Sequence, residues 1–359
     1  MLRKMILRAT MAFILCGLFT AGAYPQSAPP FDASALVKLG DNVKYGSYII
    51  YKIGDGIYEI NDPGDKTTGG RGHGVDMYLI CGTRKALLVD LGNDYIDGYA
   101  QDHILPRKNA AEELRAVVYG LAGKVQLEIA ITHAHPDHDG MTGAFVNRNV
   151  TIWMPEGEDF NAPKVDHKID PKVYTPFAPD REFDLGGARI VKPILVRGHT
   201  NGSTVYLLTN DMYLFTGDAL GSGFGQAFPT VPILKVFAED SQDLVEYIKA
   251  NFTPYARYSL KVFTGHSWQN VFAGWWSQNH DLVDVGYLDW RFVQNEASCA
   301  SGILKGKWLV EGSGLQIMGK LSPESWLGEG EKAIMVYGIG SIIIPLKTAY
   351  DAAGLPMPQ

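Results

Sequence analysis

The feature that most constrains the fold is a run of nine residues, Thr132–Gly140, which reads THAHPDHDG. It places three histidines and two aspartates within seven positions. The apolar run before it, Leu127–Ile131, predicts a buried strand, so His133 and His135, two residues apart on extended chain, point to the same side. Pro136 disfavours helix at the residue before it and can itself open a helical turn.

This spacing is typical of metal ligands, because neutral imidazole and carboxylate are standard ligands for zinc-like ions. His133 and His135 can bind one ion, while Asp137 and His138, at the helix start, can bind a neighbouring one. A single zinc usually takes three or four protein ligands, and these four with others downstream exceed its needs. The run therefore predicts one half of a two-metal site.

Further candidates each follow an apolar strand by one to three residues, and they are Asp90, His199, Asp218 and His266. Loops at strand ends gather along one rim of a sheet, where side chains far apart in sequence can converge. A lone histidine at such a position is more often an ordinary loop residue. Five positions of this kind, His133 included, favour a metal centre.

The flanking elements alternate between strands and helices, which predicts an α/β fold. Asn109, with Glu112 three residues on, predicts a capping box at the start of a helix. Asp240 or Ser241 is predicted to begin another, which ends before Pro254. Strands are predicted at Thr204–Leu208 and Met212–Phe215, as a hairpin, and at Tyr258–Phe263.

The N-terminus has the pattern of a cleaved secretory signal. Three basic residues precede an apolar run, Met11–Ala23, which ends in Ala-Gly-Ala. A membrane anchor is the alternative, but a span needs roughly 20 residues. We predict a signal peptide over residues 1–23, a Pro-rich linker over 24–40, and a periplasmic or secreted protein without stable membrane insertion.

The composition argues against a nucleic-acid partner. Removal of residues 1–23 takes away three basic residues and no acidic ones, so the formal charge goes from −7 to −10. So acidic a surface offers no basic stripe for a phosphate backbone. Of the remaining cysteines, Cys81 lies in a strand-like run, which favours a buried free thiol over a disulfide with Cys299.

The ordered motifs resemble those of the metallo-β-lactamase-fold hydrolases, over roughly residues 45–270. The match covers all five motifs, which are Asp90, then the HxHxDH of His133, His135, Asp137 and His138, then His199, Asp218 and His266. The resemblance implies a four-layer αβ/βα sandwich, a catalytic domain over 41–270, with the metals at one edge.

The resemblance also implies roles for these residues. One metal would be held by His133, His135 and His199, and the other by Asp137, His138 and His266. Asp218 would bridge the two ions, and Asp90 would form hydrogen bonds within the second-motif loop. We expect two divalent ions, with zinc preferred over manganese or iron.

Two such ions, about 3.5–4 Å apart, would share a bridging water and lower its pKa towards 7, so that hydroxide could attack a carbonyl carbon. The leaving group could take its proton from a metal-bound water or from Asp137.

The substrate class is predicted through Asp218. By the resemblance, the zinc β-lactamases carry Cys or Ser at this position, whereas lactonases and glyoxalase II-type thioesterases keep the aspartate. Acyl-homoserine lactonases place a tyrosine three residues later, where this chain has Gly221. We predict a lactone or carboxylic ester with an apolar side chain. A β-lactam or thioester is the alternative, and a non-catalytic metal-binding module or a mononuclear iron dioxygenase of the same fold are alternatives of another class.

Residues 271–359 are predicted to form a helix-plus-hairpin extension packed on the core. Strand-like runs occur at Leu309–Met318 and Ala333–Pro345. A dense aromatic cluster follows His266, and we expect it either to pack on the sandwich or to form a wall of an apolar substrate pocket or an oligomer contact. The cluster comprises Trp268, Phe272, Trp275 and Trp276, and Phe224 and Phe228 are expected across the cleft.

Overall fold

The computed structural model describes residues 28–63, 74–93, 109–160, 169–178, 180–273, 286–311, 315–321 and 330–357. The predicted signal peptide, the first part of the linker and the predicted pocket residues Trp275 and Trp276 lie outside these ranges. No helix in the described ranges is long and apolar enough to cross a bilayer.

The first sheet contains eight strands in chain order. Its first five strands pair antiparallel, and the last four, from the fifth onward, pair parallel. The strands are β1 (Asn42–Tyr45), β2 (Tyr48–Gly54), β3 (Ile57–Asn61), β4 (Asp76–Cys81), β5 (Lys85–Val89), β6 (Gln126–Ala130), β7 (Thr151–Pro155) and β8 (Thr175–Phe177).

The second sheet has the order β15-β14-β12-β11-β10-β9. Its strands are β9 (Phe183–Gly186), β10 (Arg189–Leu195), β11 (Thr204–Leu208), β12 (Tyr213–Phe215), β14 (Lys261–Phe263) and β15 (Leu288–Asp289). The inner faces of the two sheets share one buried apolar cluster, to which Tyr78 and Leu87 contribute from the first sheet and Tyr206 and Phe215 from the second.

Helices cover the outer face of each sheet. The helices are α1 (Ala110–Ala122), α2 (Pro136–Asp139), α3 (Val231–Asn251), α4 (Pro254–Tyr258), α5 (Trp290–Leu304), α6 (Lys307–Glu311) and α7 (Leu346–Ala353). Leu114 and Val118 of α1 pack on the first sheet, and Phe237 of α3 and Val293 of α5 pack on the second. Three apolar cores between four layers give the expected αβ/βα sandwich.

The C-terminal segment adds a third sheet in the order β13-β18-β17-β16. Its strands are β13 (Gln226–Ala227), β16 (Leu315–Leu321), β17 (Gly330–Tyr337) and β18 (Gly340–Pro345). Strand β13 follows the loop of Asp218 and pairs parallel with β18. The C-terminal residues are thereby joined directly to a loop of the predicted site.

Several predicted boundaries are wrong. Helix α3 begins at Val231, with Thr230 as N-cap and a proline in its first turn, rather than at Asp240 or Ser241. Asp240 lies inside the helix, where it binds Arg197. Asn109 precedes α1 but forms no side-chain capping bond, so the predicted capping box is absent.

Three tail and loop predictions also differ. Residues 254–258 form α4, so the strand predicted from Tyr258 is limited to Lys261–Phe263. The run Ala333–Pro345 is two strands that turn near Gly338, not one. The start of the run predicted from Leu309 is helical. Cys81 and Cys299 are both free thiols, as expected for Cys81, but Cys81 is half-buried rather than buried.

Candidate metal centre

The ends of β5, β6, β10, β12 and β14 deliver the predicted residues to one rim of the sandwich. Pro136 opens α2, and His135 before it is extended, with φ −98° and ψ 144°. Asp137 and His138 therefore lie in the first turn of a helix, as the proline predicted. Residues from four of these loops form two groups of side chains, and Asp90 from the fifth lies beside them.

The first group consists of His133, His135 and His199. The Nε2 of His199 lies 3.1 Å from the Nε2 of His133 and 2.9 Å from the Nδ1 of His135, and these two atoms are 3.0 Å apart. Three ring nitrogens thus face one point. There is no room for a proton on each of three nitrogens that face one another, so their lone pairs suit a bound cation.

The second group consists of Asp137, His138, Asp218 and His266. The Nε2 of His138 lies 3.5 Å from Oδ1 of Asp218, and the Nε2 of His266 lies 3.3 Å from its Oδ2. The same two nitrogens are 3.8 and 3.6 Å from Oδ2 of Asp137. Two imidazoles and two carboxylates therefore surround one position.

Asp218 lies between the two groups. Its Oδ2 is 3.7 Å from the Nε2 of His199, a member of the first group, while both its oxygens face histidines of the second. A carboxylate with an oxygen towards each group can bind two ions at once. The room is tight on its other side: a Cβ at Gly265 would come within 2.6 Å of Oδ1 of Asp218 and 2.7 Å of Cε1 of His138.

Asp90 holds one histidine of each group. The backbone amide of Thr132 donates to its Oδ1 at 2.7 Å, and the hydroxyl of Thr132 donates to its Oδ2 at 2.9 Å. That hydroxyl accepts from Nδ1 of His133 at 3.0 Å, and Nδ1 of His138 donates directly to Asp90 at 2.8 Å. Both histidines are then protonated at Nδ1, which leaves the Nε2 lone pair for a metal.

His266 is oriented in the same way, because its Nδ1 donates to the carbonyl of Gly74 at 2.8 Å. The side chains fit a metal by a second observation. The Nε2 of His138 and the Oδ1 of Asp218 are both buried and have no hydrogen-bond partner in the structure. Buried polar atoms without partners are costly, and a divalent ion between them would satisfy both.

The comparisons with known proteins bear on this site. A family model described as the metallo-beta-lactamase superfamily matches residues 70–251, just over half of the chain, and includes six of the seven grouped residues. The chain belongs to the metallo-beta-lactamase superfamily. Members of this superfamily are generally metal-dependent hydrolases, and the two groups of His and Asp fit the binding of divalent metals.

Solved structures with similarity to this chain include three proteins with low sequence identity. A metallo-beta-lactamase from Erythrobacter litoralis with beta-mercaptoethanol in its active site is 15% identical, with a TM-score of 0.44, over 68% of this chain and 99% of that one. The DIM-1 metallo-beta-lactamase exposed to ceftazidime is 14% identical, with a TM-score of 0.45, over 72% and 99%. The archaeal superfamily protein ST1585 from Sulfolobus tokodaii is 16% identical, with a TM-score of 0.38, over 64% and 80%. No curated protein matches the sequence significantly.

In this superfamily member the two groups differ in charge. Burial, with the neighbouring histidines, lowers the pKa of His133 well below its usual range and lowers the pKa of His199 to about 3. Burial acts in the same direction on His266, but Asp218 and Asp137 outweigh it and raise its pKa to about 9. His133 and His199 are therefore neutral and ready for a metal, whereas His266 holds a proton when no metal is bound.

The carboxylates of the second group are charged. Burial alone would raise the pKa of Asp218, but His266 and His138 hold it well below the usual range. The same two histidines, His138 first, lower the pKa of Asp137 against the effect of burial. Both aspartates can therefore act as anionic ligands at neutral pH.

A cavity of about 440 Å³ opens beside the first group. One side is apolar and comes from the start of α3, and the other is polar. The cavity is lined by Ala134, His135, Glu158, Asp159, Arg197, Gly198, His199, Thr200, Asn201, Pro232, Ile233 and Val236.

The predicted aromatic wall is only partly within the described residues. Phe228 is fully buried against Phe237 in the core, so its expected place across the cleft is wrong. Phe224 and Phe272 pack on each other with ring centroids 5.0 Å apart, and Trp268 is 45% exposed. The apolar residues that line the cavity beside the histidines come from α3 instead.

Sequence reasoning missed the residues that hold the loops. Asp240 accepts from the backbone amide of Arg197 at 2.9 Å and from its guanidinium at 2.7 and 2.8 Å. Arg197 lies two residues before His199, so these bonds hold the loop of His199. Asp139, within the histidine-rich run, accepts from the hydroxyl of Tyr174 at 2.7 Å and is not part of either group. Glu158 and Asp76 form comparable bonds.

Proposed function

We propose that this protein is a binuclear metal-dependent hydrolase that cleaves a lactone or carboxylic ester with an apolar side chain. The observation that carries the proposal is the position of Asp218, whose carboxylate faces ring nitrogens of both groups. Zinc is the preferred metal, because imidazole nitrogen and carboxylate oxygen are among its usual ligands.

In this proposal each group holds one ion. His133, His135 and His199 bind the first, Asp137, His138 and His266 bind the second, and Asp218 binds both. The bound metals would supply a hydroxide at neutral pH and polarise the substrate carbonyl. Asp90 orients His133 and His138 and does not reach the substrate. The lowered pKa of Asp137 supports a role as a charged ligand rather than as the acid that protonates the leaving group.

The cavity supports the substrate class. Pro232, Ile233 and Val236 offer an apolar surface next to His135 and His199, and Glu158 and Thr200 offer polar groups opposite. An acyl chain or ring can pack on the first surface while the scissile carbonyl lies over the ligands. The aspartate at position 218 supports a lactone or ester over a β-lactam, by the resemblance described above.

A substrate panel tests this proposal. We expect lactones and esters to be cleaved with higher kcat/KM than thioesters or a cephalosporin. Each added methylene on the acyl chain yields about 0.8 kcal/mol when buried, or up to about fourfold in kcat/KM, until the cavity is full. Ile233→Ala and Val236→Ala should flatten this trend, and Val37→Ala, at a site 67% exposed, should not. Efficiencies highest for the cephalosporin would contradict the substrate class.

Metal analysis of protein purified without added metal, combined with the substrate panel, separates the hydrolase from the other classes, since a non-catalytic metal-binding module would bind metal and cleave none of the substrates. Two zinc-like ions per chain support the proposal. One iron would indicate a dioxygenase, and no metal would indicate that the site is not a metal centre.

We also propose that the protein is exported, on the sequence pattern of residues 1–23. Mass spectrometry of the protein from the periplasm or medium should find a mature N-terminus at Tyr24. An intact Met1 in a cytoplasmic fraction would contradict export.

A further inference from the structure

Two carboxylates outside the seven grouped residues, the half-buried Glu158 and the buried Asp76, each hold the backbone beside one group. We propose that Glu158 positions the three-histidine group and that Asp76 positions His266 in the second group. Neither would touch a metal ion or the substrate's reacting atoms. The inference rests on the proposed function, since it takes both groups to be metal sites.

Glu158 lies in the loop after β7 and joins two loops of the first group. The amide of Ala134 donates to its Oε2 at 3.3 Å, and the amide of Gly202 donates to its Oε1 at 2.8 Å. The hydroxyl of Thr200 donates to the same Oε1. Ala134 stands between His133 and His135, and Thr200 follows His199, so one carboxylate fixes the separation of all three imidazoles.

The charge and the two oxygens of Glu158 matter for this arrangement. Three donors converge on the carboxylate, and a glutamine has only one acceptor oxygen. Its amide NH₂ would face an N–H donor on one side, so one of the two loops would lose its bond. The sequence offers no pattern that would have shown this.

Asp76 is the first residue of β4 and forms hydrogen bonds to the residues on both sides of His266. Its Oδ2 accepts from the amide of Ser267 at 2.6 Å, and its own amide donates to the carbonyl of Gly265 at 2.8 Å. Its Oδ1 accepts from the side chain of Asn61 at 2.5 Å. The residues on both sides of His266 are thus attached to one strand end, and Asp76 is only 1% exposed.

Because the two carboxylates hold different loops, replacing one should weaken one metal site and spare the other. The test uses two backgrounds of the full chain. His266→Ala leaves the three-histidine group, and His199→Ala leaves the second group. Zn²⁺ is titrated into metal-free protein against a chromogenic chelator, which gives an affinity without any need for catalysis.

In the His266→Ala background, Glu158→Gln should weaken Zn²⁺ binding about 10- to 100-fold, the range for residues that orient metal ligands, and Asp76→Asn should stay within about twofold. In the His199→Ala background, Asp76→Asn should weaken Zn²⁺ binding about 10- to 100-fold and Glu158→Gln should stay within about twofold. Glu156→Gln, an exposed neighbour of Glu158, and Asp55→Asn, exposed in the turn before β3, serve as matched controls and should change neither affinity.

Thermal unfolding of the metal-free variants shows whether they fold. If Glu158→Gln does not fold, Thr200→Val removes one donor to Glu158 and should give a smaller effect on the three-histidine group. If Asp76→Asn does not fold, Asn61→Ala removes one donor to Asp76 and should give a smaller effect on the second group. Equal weakening in both backgrounds, or no weakening in either, overturns the inference while wild-type protein still binds two ions. Wild-type protein that binds no Zn²⁺ overturns the proposed function as well.

Discussion

At the scale of single residues, Asp90 stands out because one carboxylate fixes a histidine in each group. It lies at the end of β5 with a φ of 64°, a conformation that non-glycine residues rarely adopt. Strain of this kind costs about 1–3 kcal/mol and persists where the surroundings enforce it. Here the bonds to Thr132 and His138 enforce it, so the two groups share a common support.

Asp218→Ala tests the residue between the groups. It removes an oxygen from each group, so we expect both ions to bind less tightly and activity to fall at least about a hundredfold, since even residues that only orient ligands cost 10- to 100-fold. Metal content by mass spectrometry and kcat/KM on the best ester measure the two effects. Asp243→Ala, exposed on α3, is the control. Two ions retained at full occupancy would show that Asp218 does not bridge.

The unequal protonation of the groups predicts a stepwise loss of metal in acid. His266, with a pKa near 9, carries a proton below that pH in the metal-free protein, so the second ion must displace it. Its affinity should fall about tenfold for each pH unit per proton displaced. His199, with a pKa lowered to about 3, does not compete in this range.

Dialysis against dilute Zn²⁺ at pH 9 to 5, followed by metal counting, measures this difference. As the pH falls, we expect the second group to lose its ion before the three-histidine group does. In His266→Ala this first loss of metal should be absent, which would assign it to the second group. Loss of both ions in a single step, or earlier loss from the three-histidine group, would contradict the prediction.

The ligand residues could be predicted from sequence because their types and positions are both informative. The histidines and aspartates lie just after the ends of apolar strands, where loops gather at one rim. Pro136 favours extended backbone at His135 and a helix start at Asp137. Glu158 and Asp76 could not be predicted in this way. Their partners are backbone amides, which every residue has, and the contacts exist only after the loops have folded together.

At the scale of elements, the parallel pair of β13 and β18 connects the tail to the loop of Asp218. The amide of Gly225 donates to Oγ of Ser341 at 2.8 Å, and the side chain of Gln226 donates to the carbonyl of Asp218. The amide of Ser341 in turn donates at 2.7 Å to Glu296, which is buried in α5. The tail is therefore a structural part of the site's surroundings.

Gly225→Ala tests this connection. A Cβ there would lie 2.4 Å from the carbonyl oxygen of Ser341, so the two strands must move apart. We expect a loss of about 1–3 kcal/mol in the free energy of unfolding, as for other overpacked sites, together with lower activity. Chemical denaturation and kcat/KM provide the readouts. Gly143→Ala, where a Cβ meets nothing within 4 Å, should change neither, and unchanged activity in Gly225→Ala would mean that the tail does not support the site.

Element types were easier to predict than their limits. The buried strands that precede Asp90 and His133 lie where apolar runs predict them. The sequence predicts the start of α3 ten residues late, because Asp240 resembles an N-cap whereas its carboxylate binds Arg197 inside the helix. It predicts one strand over Ala333–Pro345, since the two strands of this hairpin are equally apolar and only glycine marks the turn.

At the scale of the whole molecule, two sheets and their helices hold the four ligand loops and the loop of Asp90 at one rim. The second group places buried atoms without hydrogen-bond partners at this rim, which a bound ion would satisfy. Ligands that bind only the folded state stabilise it, by about 2.7 kcal/mol at a hundred times Kd. We therefore expect Zn²⁺ to raise the Tm of the metal-free protein by several degrees.

The size of this rise should depend on pH. Because the folded pKa of His266 is raised to about 9, its proton stabilises the metal-free fold below pH 6.5, and this contribution is lost as the pH rises through 9. The gain in Tm on adding Zn²⁺ should therefore be larger at pH 9 than at pH 6.5, by calorimetry. An equal or smaller gain at pH 9 would contradict the assigned charge of His266.

The pairing of β13 with β18 has a consequence for the order in which the protein is made. Ribosomes synthesise residues 226–227 more than a hundred positions before their partners at 342–343. The segment beside the loop of Asp218 therefore lacks its partner strand until residues 342–343 have been synthesised. All seven grouped residues precede β18 in the chain, so the ligands are present during synthesis before the strand that supports one of their loops.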